Sequence, residues 1–219
     1  MKAIVLLSGG IDSATTLYCA RARGYKAFCL TFDYGQRHKR ELRAARILAR
    51  QSASTWRLLK ISLPWKGSSL LDKSMKLPKA AVGRKNIPTT YVPGRNIIFL
   101  SYAVSYAESI GAPRIFIGAN QVDYSGYPDC RKGFLDSFSD AVNKGTRQGV
   151  EKGGIIIDAP LINKSKADII RTAVKLNVPL EHTWSCYKGG AHPCGKCDSC
   201  LIRNKGFKEA GLKDPLLYG

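Results

Sequence analysis

A chain of 219 residues that is 44% hydrophobic and 23% charged can bury one sizeable core, which excludes a disordered or collagen-like polypeptide. Its apolar runs, such as residues 3–7 and 155–157, are far shorter than the roughly 20 residues of a membrane span, and no export signal precedes Ser8-Gly9-Gly10, so no membrane association and a cytoplasmic location are expected. Thirty-five Lys and Arg against 16 Asp and Glu give a net charge of +19, which attracts nucleotides, nucleic acid and other anions without choosing among them.

Residues 2–7 form a continuous apolar run closed by two glycines, the pattern of a parallel strand buried on both faces. A helix is predicted from Asp12 to about Arg23, stopped by Gly24. Residues 27–32 read as a second strand and 39–51 as a helix, with Leu42, Ala45, Ile47, Leu48 and Ala49 set among basic residues. Residues 56–63 read as a third strand. The stretch 64–94 is rich in Pro, Gly, Ser and Lys and shows no period, as in a lid or binding insert. A helix at 96–109 closed by Gly111, a strand at 114–118, a polar loop at 120–130 and a helix at 131–143 follow. A strand at 155–158 and a helix at 165–177, ended before Pro179, complete the alternation, and one short helix is expected in the cysteine-rich end. Strand and helix in turn predict a parallel-sheet α/β domain. Residues 1–180 are expected to form its main part, with 181–219 packed on it as a small lobe.

Ser8-Gly9-Gly10-Ile11-Asp12-Ser13 lies between the first strand and the first helix. Glycines let the backbone turn tightly and bring N–H groups close to a ligand, serines add hydroxyl donors, and the helix start favours an anion. Asp12 is a carboxylate where phosphates should sit, which makes sense if Mg²⁺ lies between them. The plainer alternative is a glycine turn in which Asp12 and Ser13 cap the helix.

Seven cysteines in a reducing compartment are thiols or metal ligands rather than disulfides. Cys186, Cys194, Cys197 and Cys200 form C-x7-C-x2-C-x2-C, a spacing that lets four thiolates close a tetrahedral shell. Zinc is the leading candidate over an iron–sulfur cluster, in a structural role because a full shell leaves no open position. Lys188, Lys196 and Arg203 are placed to offset the thiolate charge, and Cys19 and Cys29 read as core residues.

The SGGxDS string at residues 8–13 resembles the signature of the PP-loop, or N-type ATP pyrophosphatase, superfamily. Longer blocks narrow the resemblance: LSGGIDSATTLY, TFDYGQRHKREL, IPTTYVPGRNIIFLSYA, IGANQVDYSGYPDCRKGFLDSF, PLINKSKADII and TWSCYKGGAHPCGKCDSCLIR are similar to the QueC family nearly from end to end. The resemblance implies a parallel five-stranded sheet with helices on both faces, of the adenine nucleotide α-hydrolase-like kind, plus a small C-terminal zinc lobe held by four cysteines. It also implies a ligase that makes 7-cyano-7-deazaguanine from 7-carboxy-7-deazaguanine, ammonia and ATP for queuosine or archaeosine, acting as a homodimer. Asp12, Ser13, Arg95 and Lys166 would then be catalytic. Leu7, Ser8, Gly9, Gly10, Ile11, Asp12, Ser13, Ala14, Thr15, Thr16 and Leu17 would form the ATP-binding segment. Asp123 or Asp129 would accept hydrogen bonds from the guanine-like edge, with Tyr124 and Tyr127 stacking on its face and Arg131 or Lys132 facing the substrate carboxylate. Asp33, Tyr34, Gln36 and His38 follow the second strand, where adenosine contacts are expected, and His38 is a candidate base. Two other readings remain: a PP-loop tRNA-modifying ligase or sulfurtransferase acting on RNA directly, and a basic zinc-bearing module that binds RNA without catalysis.

Overall fold

In the computed structural model, which describes residues 1–65, 67–77, 87–122 and 126–218, alternate side chains of β1 (Lys2–Leu6) enter two separate cores. Ala3 and Val5, followed by Leu7, pack on one side, while Ile4 and Leu6 pack on the other. That double burial is why the run carries no polar alternation. β2 (Lys26–Asp33), β3 (Thr55–Lys60), β4 (Arg114–Phe116) and β5 (Ile156–Asp158) complete a sheet in the order β3-β2-β1-β4-β5, every pairing parallel.

Helices cover both faces. The first core receives Leu17 of α1 (Ile11–Ala22), Leu48 of α2 (Arg40–Gln51), Ile169 and Ile170 of α6 (Lys166–Lys175) and Phe207 of α7 (Asp198–Ala210). The second receives Leu100 and Val104 of α3 (Arg95–Ile110), then Leu135 and Val142 of α4 (Lys132–Gly145). Two short helices, α5 (Arg147–Glu151) and α8 (Pro215–Tyr218), lie outside the expected set. In α5 the Thr146 hydroxyl accepts a bond from Gly149 N at 3.0 Å, and buried Gln148 donates to Ala112 O at 3.2 Å. Five residues held by caps and one glutamine carry no apolar period, so pattern reading passes over them.

The chain steps outward from β1 to β3, crosses back to β4, and continues to β5 on the far side. Such a reversal opens a crevice at the carboxyl ends of the two strands that flank it. Here these are β1 and β4. A Cβ at Gly118, just beyond β4, would lie 2.9 Å from Ser13 N, so glycine lets that edge close onto the start of α1.

The cysteine-rich end is tied down by a buried ion pair. Arg203 of α7 donates to Asp214 through Nε (2.5 Å) and a terminal nitrogen (2.7 Å), and to Thr183 Oγ1 at 2.8 Å. Its guanidinium therefore serves Asp214 rather than offsetting thiolate charge, as the sequence suggested. Breaking a buried pair strands the surviving charge at about 3–5 kcal/mol. Arg203→Met should accordingly lower the melting temperature by roughly 6–20 °C at about 2–4 °C per kcal/mol, which a calorimetric scan reads directly.

Candidate active site and thiolate centre

The loop after β1 is organised around one hydroxyl. Ser13 Oγ accepts from Ser8 N and Gly9 N, both at 3.2 Å, and donates to Gly10 O at 3.1 Å. Ser8 Oγ lies 3.0 Å from the same atom. Gly10 is the N-cap of α1 and offers no side-chain capping bond, so the helix start presents backbone N–H groups and its positive dipole end to the crevice. Gly9, at φ +94°, could not be anything larger: a Cβ there would lie 2.2 Å from Glu41 O and 2.9 Å from Ala45 N. Its carbonyl accepts from Trp184 N at 2.8 Å. The loop is thus clamped between α2 and the cysteine-bearing segment.

A cavity of about 280 Å³ opens above this loop. Leu7, Ser8, Gly10, Ile11, Asp12 and Ser13 line it. Ala14, Thr15, Thr16 and Leu17 are fully buried in α1 beneath them and do not reach the lining. Lys166, the first residue of α6, comes in from the opposite side and donates to both Asp12 carboxylate oxygens, at 2.7 and 2.8 Å. The sequence separates the two by 154 positions, and the fold joins them. Space for the lysine stem is provided by α7, where a Cβ on Gly206 would lie 2.3 Å from Lys166 Cγ.

Arg95 opens α3 at the back of the same cavity. Burial works against its charge, but Tyr34, Cys130, Asp129 and Tyr127 around it offset that and raise its pKa above the arginine value. Burial pushes the Tyr34 phenol up to about 12 and the Cys130 thiol up to about 12. Cys130 is therefore a thiol at neutral pH and no nucleophile. Glu41, on the inner face of α2, is the residue that sequence reading missed. Burial raises its carboxyl to about 7, against the opposing pull of Arg95 and a hydrogen bond from Gln36. The available signal was spacing: Glu41 shares a helical stripe with buried Ala44, Ala45 and Leu48, the face that points inward.

The predicted base-binding residues separate. Tyr127 lines the cavity, with its hydroxyl 2.5 Å from Thr90 Oγ1. Asp129 is buried and clamps α3: its Oδ2 accepts from Asn96 N, and its carbonyl from Asn96 Nδ2, both at 3.2 Å. Arg131 is exposed at the start of α4, away from the lining. Asp123 and Tyr124 lie outside the described residues. Of the residues after β2, Asp33 pairs with Lys39 at 2.8 Å, and Gln36 staples the turn by donating to Phe32 O and accepting from Tyr34 N. His38 lines the cavity half-buried, and burial lowers its pKa.

Cys186, Cys194, Cys197 and Cys200 bring their sulfurs within 4.8 Å of one another. A tetrahedron with metal–sulfur bonds of about 2.3 Å has edges of roughly 3.8 Å, so this set fits a tetrathiolate shell with little adjustment. Cys186 Sγ already accepts from Lys188 N at 3.4 Å and Cys194 N at 3.3 Å, the backbone support that orients metal-bound sulfur. A hydrogen bond from Cys200 holds the Cys197 thiol down at about 5. Arg40 stacks over Trp184 at 4.5 Å and donates to Ala191 O at 2.6 Å, joining this lobe to α2.

A family profile described as "Queuosine biosynthesis protein QueC" matches residues 2–211. The "7-cyano-7-deazaguanine synthase" of Clostridium kluyveri is 51% identical over 220 residues, which cover 99% of this chain and 97% of that protein. Among solved structures, NMN synthetase from Francisella tularensis is similar with a TM-score of 0.53 at 16% identity, over 97% of this chain and 77% of that one. A 4-thiouridine synthetase, solved with RNA and bound ATP, gives 0.51 at 21% identity, over 96% and 50%. Both share this fold.

Proposed function

The chain belongs to the QueC family, and from that premise we propose that it is an ATP-dependent ligase converting 7-carboxy-7-deazaguanine and ammonia into 7-cyano-7-deazaguanine. The observation that carries the reading is the meeting of Asp12 and Lys166 over a glycine loop at the uncapped start of α1, inside a single cavity.

A carboxylate is a poor electrophile, so an oxygen of the substrate acid first attacks the α-phosphorus of ATP and pyrophosphate leaves. Ser8, Gly9, Gly10 and the first N–H groups of α1 would hold that leaving group as its charge grows, with the Lys166 ammonium beside it. Asp12 would hold Mg²⁺ together with the phosphates, an ion commonly bound through one or two carboxylates plus substrate oxygens. Ammonia nitrogen then attacks the acyl carbon, AMP leaves and an amide forms. A second adenylation, on the amide oxygen, lets AMP leave again as the N–H protons are lost and the nitrile forms. Arg95 is suited to the α-phosphate, and Tyr127 to the face of the base. Asp123, Tyr124, Asp129 and Arg131 remain in the proposal as candidates for the base edge and the substrate carboxylate. The four cysteines would hold one structural Zn²⁺. Residues 1–180 would be the catalytic domain, with 181–219 its metal-bearing lobe.

Incubation with the carboxylated base, ammonium, Mg²⁺ and ATP should yield AMP, pyrophosphate and a product whose mass is that of the nitrile. Absence of that product with every component present refutes the reading. Elemental analysis should give one zinc per chain, and Cys200→Ser should lose it.

A second reading, an enzyme acting on RNA, is favoured by one feature: Arg40, Arg43, Arg46 and Arg50 form an exposed stripe on α2. AMP release that requires tRNA and ignores the free base would select it. Among the described residues no helix is long and apolar enough to cross a membrane. The proposal includes a cytoplasmic location, because a four-thiolate cluster suits a reducing compartment. It also includes a homodimer, which light scattering would read as twice the chain mass.

A further inference from the structure

We propose that Glu41 forms the ammonium-binding subsite of this cavity and takes the proton that turns ammonium into the attacking amine. The proposal rests on the ligase reading. At neutral pH the nitrogen donor is almost entirely ammonium, a cation with no lone pair, so an enzyme that consumes it needs a carboxylate to attract it and a base to deprotonate it. Among the described residues lining the cavity, the carboxylates are Asp12 and Glu41. Asp12, paired with Lys166, is the carboxylate that the ligase reading gives to Mg²⁺ and the phosphates. Glu41 is the one placed for a small cation.

Its position is rigid. The Glu41 backbone carbonyl packs against the Gly9 turn so closely that a Cβ on Gly9 would lie 2.2 Å away, which fixes this turn of α2 beside the phosphate loop, with Glu41 in the cavity lining. Gln36, from the loop after β2, hydrogen-bonds the carboxyl, and Tyr34 from the same loop and Arg95 from α3 face it. Arg37, His38, Asp12, Lys166 and Arg203 are the other charged or titratable groups around the same cavity, beside the thiol of Cys130 and the phenols of Tyr127 and Tyr187.

No rival in the wall has the same fitness. The Cys130 thiol and the Tyr34 phenol are pushed up to about 12, too weakly acidic to be present as bases at neutral pH. His38 is packed toward Gly189 in the metal lobe. Burial brings the Glu41 carboxyl to about 7, and a base is most efficient when its pKa lies near the working pH. The steps balance. Glu41 carboxylate takes one proton from ammonium, the freed lone pair attacks the acyl carbon, and AMP leaves with its electron pair. The extra proton on the new amide nitrogen goes to solvent, and Glu41 returns its own proton to solvent before the second round.

The test uses full-length Glu41→Gln, a replacement of nearly the same shape. In the wild type, exchange of pyrophosphate into ATP that depends on the carboxylated base and needs no ammonium reports adenylation alone. The variant should keep that exchange within about threefold while its kcat/KM for ammonium at pH 7 falls roughly 10²–10⁴-fold, the usual worth of a general base. Hydroxylamine is a neutral amine at pH 7 and needs no base to expose its lone pair, so the variant should still form hydroxamate within a fewfold of the wild-type rate. A parallel loss with hydroxylamine, loss of exchange, or an unchanged ammonium reaction overturns the proposal. Absence of exchange in the wild type would instead overturn the ligase reading, and the proposal with it. Should the variant fail to fold, wild-type pH profiles decide: kcat/KM for ammonium should bend near pH 7 where the hydroxylamine profile does not, and matching profiles refute the assignment.

Discussion

Lys166→Met should lower the rate of pyrophosphate release by about 10²–10³-fold, the usual effect of deleting one preorganised partner of developing charge, while the protein stays folded. Methionine keeps most of the buried stem, so the packing of Lys166 against Gly206 survives and only the ammonium is lost. Asp12 remains behind, but its side chain is 19% exposed, and water can take over part of what the lysine supplied. The stability loss should therefore fall below the roughly 3–5 kcal/mol of a fully buried broken pair. Kinetics and melting together separate a catalytic role from a structural one: a protein that melts normally yet no longer releases pyrophosphate places Lys166 in the chemistry, whereas normal turnover removes it. Gly206→Ala provides an intermediate case, because a methyl there displaces the lysine without removing its charge. It should lower kcat more than it raises the KM for ATP.

Gly9→Ala should be among the most damaging single changes available. The position has φ +94° and its new methyl would lie 2.2 Å from a backbone oxygen of α2, so neither the turn nor the helix can yield without moving the other. Left-handed strain of roughly 1–3 kcal/mol adds to an overpacking cost of about 1–3 kcal/mol. At about 2–4 °C per kcal/mol for a chain of this size, the melting temperature should drop by roughly 4–24 °C. Gly10→Ala is the control: its φ is −82° and the nearest atoms to an added Cβ are 3.7 Å away, so it should melt close to the parent. Equal melting points for the two variants would refute the clamped-turn account.

Local pattern carried the sheet, the glycine loop and the thiolate cluster because each is written in consecutive or closely spaced residues. The run in β1 reported a strand covered on both faces, and the three short intervals among the last four cysteines reported a shared ion. What stayed hidden depends on contacts across long stretches of chain. Asp129 reads as a hydrogen-bond acceptor for a base, and the sequence gives no sign that its Oδ2 also accepts from the first turn of α3. Arg203 reads as a counter-charge for thiolates, yet Asp214 occupies it. Glu41 was obscured by its company, a lone acid in an arginine-rich helix whose inward stripe shows only when the period is traced.

The helix α7 begins at Cys197 as its N-cap, contains Cys200, and two turns after its start presents Gly206 to Lys166. Roughly 9 Å of hydrogen-bonded rod, at about 1.5 Å per residue, thus sets the spacing between the sulfur cluster and the lysine that grips Asp12. A chain ending at residue 180 would retain every group of the phosphate loop and still lose the buttress behind that lysine. The lobe is thus part of the support behind Lys166 rather than an appendage to it.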